Sequence, residues 1–467
     1  MSFLKTAASM KRTATASVPG KQVAQGISVR RVDYLVPALA GCMMLVASVL
    51  PWLKDPLAGD LSAWQLPVNI GWHMQNSLLT YGLLCMCGAL LAFGIAVAQW
   101  RSRPGRLSLW RVHLRAGWMC LVPILLLLWQ YLFVDIHTID ALAQHQMQVL
   151  LIQQHFGYNT FSLLIPMRPF DVSTSTLFGR FELLINQLSF GVLLPCASGW
   201  LFIAYKRLFG VPVERPVAKK SGRSILVVVL LLACAIVLGR APTAMICNYE
   251  AKISLAAGSY ADALRWLDSA YILNPQLDQL PSYHEERGQA LYFLHPDDRT
   301  DNTRAYLAMV YRGQKDYVDA YNELLVGWQR GPMPDWMVDE VSNTLEMQAE
   351  YVQSTTTSPL NQANSDVPAL PWLEILLQVN SSNLYAQYVE GRIQYDLHNY
   401  PACTTYMRNV LFLSQNPALQ SSAYTYMGLS AEGQRNYIDA RRMLLKAIEL
   451  DPNYNNNIAR EELSGLH

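Results

Sequence analysis

Three histidines and one arginine–aspartate pair lie within a single polar stretch, and they are the residues best suited to chemistry. The histidines are His137, His145 and His155, and the pair is Arg168 and Asp171. Histidine nitrogens bind zinc, while an arginine beside an aspartate could bind or activate a substrate. The histidines are eight and ten residues apart, which places them on different faces of a helix, and no cysteine or close acidic pair joins them. We therefore expect no metal site and no cofactor.

Short motifs of common catalytic and nucleotide-binding sites are missing. The sequence contains no HExxH, GxSxG, GxxxxGK[ST], GxGxxG, CxxC pair or DxD. Six of the eight cysteines lie in apolar segments, and we expect the other two, Cys247 and Cys403, to be buried thiols. We predict that the protein is not an enzyme and takes no small-molecule substrate.

Composition indicates a membrane protein with two unlike halves. Of the 467 residues, 52% are hydrophobic and only 15% are charged, where soluble proteins carry roughly a quarter. The net charge of +1 combines a basic half, residues 1–240, with an acidic half, residues 241–467. The basic, apolar half is typical of membrane helices with basic loops, and the acidic half argues against nucleic-acid binding.

Five apolar segments are candidates for crossing a bilayer. Crossing requires about 20 apolar residues, and none of the five contains an internal Asp, Glu, Lys or Arg. The fifth is short, with sixteen residues. The segments are Tyr34–Leu53, Leu78–Ala98, Ala116–Val134, Leu184–Tyr205 and Ser224–Gly239. We assign residues 34–240 to a transmembrane domain that follows a basic, disordered cytoplasmic tail, residues 1–33.

The distribution of basic residues predicts an orientation. Seventeen Lys and Arg precede the first segment or lie in the loops after the second and fourth, against three in the alternate loops. Positive loops remain cytoplasmic, which places the N-terminus inside and residues 241–467 outside a cell membrane. The outer loop, Asp135–Glu182, has an apolar stripe from Ile139 to Ile152, and we predict an interfacial helix there. Because the spans lack ionisable residues, we expect an anchor rather than a transporter.

The acidic half contains a recurring pattern of paired amphipathic helices. A polar residue and a tyrosine begin the second helix of each pair, a small residue follows, and Asn-Pro, Asp-Pro or Gly-Pro comes after the pair. The starting dipeptides are Ser259-Tyr260, Asp316-Tyr317, Asn399-Tyr400 and Asn436-Tyr437. The small sites hold Ala263, Ala270, Ala320, Gly327, Ala440 and Ala447, while Cys403 and Val410 depart from the pattern.

This pattern resembles the tetratricopeptide repeat, a helix–turn–helix unit of 34 residues, over about Ala244 to Asp451. The alanine-equivalent sites are 57, 83 and 37 residues apart, so some units are degenerate, notably near Ser354–Pro371. The resemblance implies an all-α solenoid whose concave surface binds a protein or an extended peptide. By register, the inward positions include Asn248, Lys252, Arg312, Tyr388, Arg392, Tyr395 and Thr425. We predict this set as a partner-binding groove.

The combined prediction is all-α: a five-span bundle followed by an extracytoplasmic solenoid. The leading functional hypothesis is a multi-pass membrane protein that presents the solenoid as a protein-binding scaffold in envelope assembly or export. The alternative is a subunit of a glycan-processing or cytochrome-maturation enzyme whose site, in the 135–182 loop, uses Arg168, Asp171 or His155. A transporter component ranks last.

Overall fold

The computed structural model describes residues 34–69, 79–101, 109–155, 176–209, 223–297, 299–328, 331–356, 367–451 and 456–466. The tail at 1–33 lies outside these residues, as do Arg168 and Asp171. The described chain is helical apart from one β-hairpin.

Four helices form a bundle in the first half. They are α1 (Leu35–Val49), α2 (Tyr81–Arg101), α3 (Leu109–Trp129) and α6 (Leu193–Phe209). Helices α3 and α6 cross at Gly117 and Gly199, where a Cβ on either glycine would lie 3.0 Å from the carbonyl oxygen of the other. Small residues let helix backbones approach this closely, as is common between membrane helices.

The predicted count of five spans needs correction. Two helices in the described residues are long and apolar enough to cross a membrane, Tyr81–Arg101 and Val112–Val134. The first predicted span is a helix of only 15 residues, because β1 begins at Pro51. The fourth is interrupted: α5 (Leu177–Gln187) ends before a 3₁₀ turn at Phe190–Val192, and α6 follows. The fifth lies within α7 (Arg223–Ala256), which continues into the second half.

A β-hairpin follows α1 and departs from the all-α prediction. Strands β1 (Pro51–Asp55) and β2 (Gly59–Ser62) pair in antiparallel fashion. Asp55 Oδ1 accepts from the backbone N–H groups of Leu57 and Ala58, and Gly59 adopts a φ of 79°. A side-chain acceptor and a left-handed glycine are the usual means of closing a tight turn.

Helix α7 passes the predicted domain boundary at 240/241 without a break, despite a proline. Pro242 has no N–H, so the carbonyl of Leu238 loses its partner in the helix ladder. The indole Nε1 of Trp129 donates to that carbonyl at 3.0 Å. A residue at the end of α3 thus replaces the missing hydrogen bond and ties α7 to the bundle.

After α3, the chain forms a π-helical turn at Gln130–Val134 and then α4 (Ile136–His155). Eleven further helices complete the second half: α8 (Tyr260–Leu273), α9 (Pro281–Leu294), α10 (Asp301–Gly313), α11 (Tyr317–Trp328), α12 (Asp335–Thr356), α13 (Leu370–Val379), α14 (Leu384–Asp396), α15 (Tyr400–Leu413), α16 (Pro417–Gly433), α17 (Tyr437–Leu450) and α18 (Asn457–Gly465). Short 3₁₀ turns lie at Pro275–Gln279 and Val367–Ala369.

Four helical hairpins in this half share one turn geometry. Two residues after each first helix ends, a residue has φ between 60° and 74°, and a polar residue and the tyrosine that begins the next helix follow it. The polar residue's N–H donates to the carbonyl five residues earlier at 2.8 or 2.9 Å, and the left-handed residue's N–H donates to the carbonyl three residues earlier. This is the Schellman motif. The left-handed residues are Gly258, Lys315, His398 and Arg435.

The predicted small sites lie where the helices of a hairpin cross. Ala263, Ala320, Cys403 and Ala440 are fully buried. On the facing helices, a Cβ at Gly391 would lie 2.8 Å from Met407 Cε, and one at Gly428 would lie 2.8 Å from Leu444 Cγ. The turn and the crossing recur in all four hairpins, which shows a helical-hairpin array.

Candidate functional site

Helix α4 lies between the two halves of the protein and contributes to three buried clusters. Ile139 and Leu142 pack in the core of the first half. Ile136 packs with residues of α7 and α8, and Val149 and Ile152 belong to the cluster that includes Tyr385 and Tyr388 of α14. The predicted placement of this stripe on the outer leaflet is therefore wrong for Ile139, Leu142 and Ile152, which are covered by protein, whereas Met147 is 47% exposed.

Two polar contacts join α4 to α12. His137 Nε2 lies 3.4 Å from Asp339 Oδ2, and Gln148 Nε2 donates to Glu346 Oε1 at 3.1 Å. Asn383, the N-cap residue of α14, donates to the same oxygen. Burial, together with the nearby Glu350 carboxylate, raises the pKa of Glu346 to about 7, although the amide donors Asn383 and Gln148 oppose the shift. The carboxyl of Glu346 therefore titrates close to neutral pH.

The hairpin tip is a second contact between the halves. Leu57 packs in the same cluster as Val149 and Ile152, and its carbonyl accepts from the backbone N–H of Gln415 at 2.6 Å. The carbonyl of Pro56 accepts from Asn416 Nδ2 at 3.5 Å. The β-hairpin, which precedes α2 in the sequence, and α4, which follows α3, thus both contact the hairpin array.

The residues of the predicted groove differ in how far they are buried. Tyr388 and Thr425 are fully buried. Thr425 Oγ1 accepts from Asn456 Nδ2 at 2.6 Å and donates to the carbonyl of Ser421. Arg392 and Tyr395 are half-buried, and the Tyr395 ring lies against that of Tyr426.

Arg312 lies in a buried group of charges contributed by three helices. Its guanidinium donates to Glu285 Oε1 of α9 at 2.5 Å, to both carboxylate oxygens of Glu340, and to Thr344 Oγ1 at 3.2 Å. Burial and the Glu340 carboxylate raise the pKa of Glu285, and Arg312 opposes the shift. The guanidinium thus ties α10 to α9 and α12 through carboxylates of both helices.

Lys252 and Asn248 occupy the other end of the predicted set, on α7. Lys252 Nζ lies 3.1 Å from Glu286 Oε1, and its side chain is 41% exposed. Burial raises the pKa of Glu286, an effect that Lys252 opposes. Lys252 is therefore paired with a carboxylate but more exposed to solvent than Arg312, whose side chain is 13% exposed.

Of the residues first considered for chemistry, the structure describes the side chains of His137 and His145 only, and these two have separate partners. His137 lies beside Asp339, and His145 Nδ1 lies 3.1 Å from both carboxylate oxygens of Asp55. The described residues contain no group of three or more potential metal ligands. Cys247 and Cys403 are free and buried.

Sequence reasoning missed the acidic partners in the second half. Asp339, Glu346 and Glu350 share one face of α12, since they are spaced by seven and four residues. The spacing itself is visible in the sequence, but the partners His137 and Gln148 lie about 200 residues away and only the fold brings them together. Arg180 on α5 was missed as well, and it is buried, with Nη1 donating to the carbonyl of Leu132 at 3.4 Å.

No family model matches the chain, and no curated protein matches it. Among solved structures, it is similar to YrrB, described as a TPR protein with an unusual peptide-binding site, at 16% identity over 47% of this chain and 90% of that one, with a TM-score of 0.23. PilF from Pseudomonas aeruginosa is 16% identical over 49% of this chain and 99% of that one, with a TM-score of 0.27. Human IFIT1 is 13% identical over 86% and 87%, with a TM-score of 0.25.

TM-scores this low do not show that this chain shares a fold with these proteins. The assignment of a helical-hairpin array rests on the four shared turns and on the buried small residues at each crossing.

Proposed function

We propose that this chain is a membrane-anchored scaffold that binds a protein partner through its hairpin array and has no catalytic role. The observation that carries the proposal is the double attachment of the array, through α4 and the hairpin tip, to a helix bundle with apolar outer faces. An array held in this way presents its free surface in a fixed orientation. An envelope assembly or export complex is the setting we expect.

Support for membrane insertion comes from the arrangement of side chains in the bundle. Helix α2 buries several small residues, among them Gly82, Gly88 and Ala89, and exposes large ones, among them Leu90 and Val97. A water-soluble bundle has the opposite arrangement, since large apolar side chains gain most from leaving water. A lipid surround is the environment in which this surface is stable.

The contacts between segments also support a location of the array and the outer loops on the same side of the membrane. The hairpin follows α1, α4 follows α3, and both contact the array, so all three belong at one end of the bundle. The opposite end contains Arg101, Arg111 and Arg115. By the positive-inside rule, we propose that this basic end is cytoplasmic and that the array is extracytoplasmic.

For the partner, we propose the part of the predicted groove that retains exposed polar groups. Lys252 on α7, together with Arg392 and Tyr395 on α14, is half-exposed, whereas Tyr388 and Thr425 are buried. Lys252 lies in the first hairpin and Arg392 and Tyr395 lie in the third, so each position suits a different part of an extended peptide with carboxylate and apolar side chains.

Photo-cross-linking in intact membranes tests the proposal. A photoreactive amino acid replaces Lys252 or Arg392, and in a matched control it replaces Arg408, which is exposed on the second helix of a hairpin. We expect a defined cross-linked partner from positions 252 and 392 and none from position 408. Equal products from all three positions, or no products, would contradict a partner site at these residues.

A further inference from the structure

We propose that α5 lies in the plane of the membrane, at its outer boundary, with one face in lipid. The inference rests on the proposed membrane placement of the bundle. This helix covers the end of the predicted outer loop, which ran to Glu182, and the start of the predicted fourth span at Leu184.

Helix α5 has three distinct faces. The face toward the protein contains Arg180, Leu183, Leu184 and Gln187, all buried. A second face exposes Leu177, Phe178, Phe181 and Ile185, with Phe178 75% exposed. At roughly 100° per residue, Glu182 and Asn186 form a third, polar edge beside that apolar face. Asn186 is exposed and Glu182 is half-exposed.

This arrangement is inverted relative to a helix on the surface of a soluble protein. The arginine and a glutamine point inward, where Gln187 Nε2 donates to Gln146 Oε1 at 3.2 Å, while two phenylalanines point outward. Exposing four large apolar side chains on one helix to water would be costly, because large apolar side chains gain most from leaving water. The outward face therefore needs an apolar surround.

The occupant we assign is the bilayer, because the apolar surface continues beyond α5. Phe190 in the 3₁₀ turn and Leu193 and Trp200 on α6 are also exposed, and Trp200 is 61% exposed. They lie in the next segment of the chain and extend onto a bundle helix. A polar edge along an otherwise apolar face is the pattern of a helix lying at the boundary between water and lipid.

Local geometry explains why α5 does not continue into α6 as one span. Leu188 forms a bridge with Leu53, and the N–H of Ser189 donates to the carbonyl of Trp52 at 2.9 Å. A Cβ at Gly191 would lie 2.4 Å from the carbonyl oxygen of Pro51. The chain is thus held against β1 between the two helices, and the turn there requires glycine.

Depth-dependent fluorescence quenching tests the inference on the full-length protein in phospholipid nanodiscs. A genetically encoded, environment-sensitive fluorescent amino acid replaces Phe178, Asn186 or Leu125 in separate proteins. Leu125 is exposed near the middle of the Val112–Val134 segment and reports on the bundle alone. The quenchers are lipids with a nitroxide near the headgroup, lipids with a nitroxide near the chain end, and aqueous iodide.

We expect position 178 to be quenched most by the shallow nitroxide and position 186 by iodide, with position 125 quenched most by the deep nitroxide. If position 178 responds only to iodide, or to no quencher, its face lies in water or under protein and the inference is wrong. Strongest quenching at 178 by the deep nitroxide would make α5 part of a span and also contradict it. Loss of lipid quenching at position 125 would instead overturn the membrane placement of the bundle.

Discussion

The Asp55 carboxylate and His145 Nδ1 lie 3.1 Å apart, and they join the two segments that attach the bundle to the hairpin array. Asp55 ends the strand before the hairpin tip, and His145 is near the middle of α4. Burial raises the pKa of Asp55, but the hydrogen bond and charge of His145, together with the backbone N–H groups of Ala58 and Leu57, lower it more, so the pKa of Asp55 is lowered overall. The attachment is therefore one connected unit rather than two separate contacts.

Replacing His145 with Ala should loosen this unit. A hydrogen bond to a charged group contributes about 1.5 to 3 kcal/mol, so we expect a loss in that range, measured by thermal unfolding in detergent. Asp55→Asn should have a similar effect while it keeps the acceptor for Leu57 and Ala58. Because the folded pKa of Asp55 is lowered, its contribution is present above the unfolded pKa and is lost as pH falls through the folded one. Asp60→Asn is the control, since Asp60 is exposed on the same hairpin.

Mild acid should stabilise the contact between α4 and α12. The pKa of Glu346 is raised in the folded protein to about 7, so its contribution is fully present below the unfolded pKa and is lost as pH rises through 7. At about 1.4 kcal/mol per unit, the change between about pH 5 and pH 8 is up to about 3 kcal/mol. Glu346→Gln should flatten the pH dependence of the melting temperature, and Glu449→Gln, at an exposed site, should not. Identical pH profiles for the two variants would contradict this assignment.

Adding one methyl group at Gly288 should disrupt the crossing of α9 and α10. A Cβ there would lie 1.8 Å from the backbone carbonyl oxygen of Asn302, which cannot move aside as a flexible side chain would. We expect Gly288→Ala to cost about 3 kcal/mol or to prevent folding, at the upper end of the range for overpacking. Gly313→Ala is the matched control, because its Cβ would meet nothing within 4 Å. Equal melting temperatures would show that this crossing is looser than described.

The indole of Trp129 and Pro242 should be coupled. Trp129→Phe removes the donor to the Leu238 carbonyl and should cost about 1 kcal/mol. In a Pro242→Ala background, the alanine N–H can pair with that carbonyl, so the same substitution should cost less. Denaturation of the four proteins gives the coupling free energy as a double-mutant cycle. A coupling of zero would mean that the indole does not replace the missing hydrogen bond.

The hairpin array was accessible from the sequence because its determinants are local. Tyrosine after a polar residue and small residues at fixed offsets specify the turn and the crossing, and Ala263, Cys403 and Ala440 are buried where the pattern placed them. The position of α4 could not be predicted from the sequence, since its stripe of apolar residues fits a lipid surface as well as a protein core. Its burial depends on Tyr385 and Leu57, which are far away in sequence.

The prediction of five membrane spans was wrong for a related reason. Apolar runs report composition, but the contact of Gly191 with Pro51 that interrupts the fourth run is a tertiary one. Whether Lys252, Arg392 and the rest of the predicted groove bind a partner remains a prediction.

The most direct test of the account determines on which side of the membrane three sites lie, because its central claim is that the β-hairpin, α4 and the hairpin array share one side. A protease cleavage site is inserted between Asn69 and Leu79, between Arg101 and Leu109, or after His467, and protease is added to sealed vesicles of known sidedness. Attachment of the hairpin and α4 to the array predicts that the first and third sites are cut from the same side, the extracytoplasmic one, and the second from the other. Cleavage of the first and third sites from opposite sides would contradict the account.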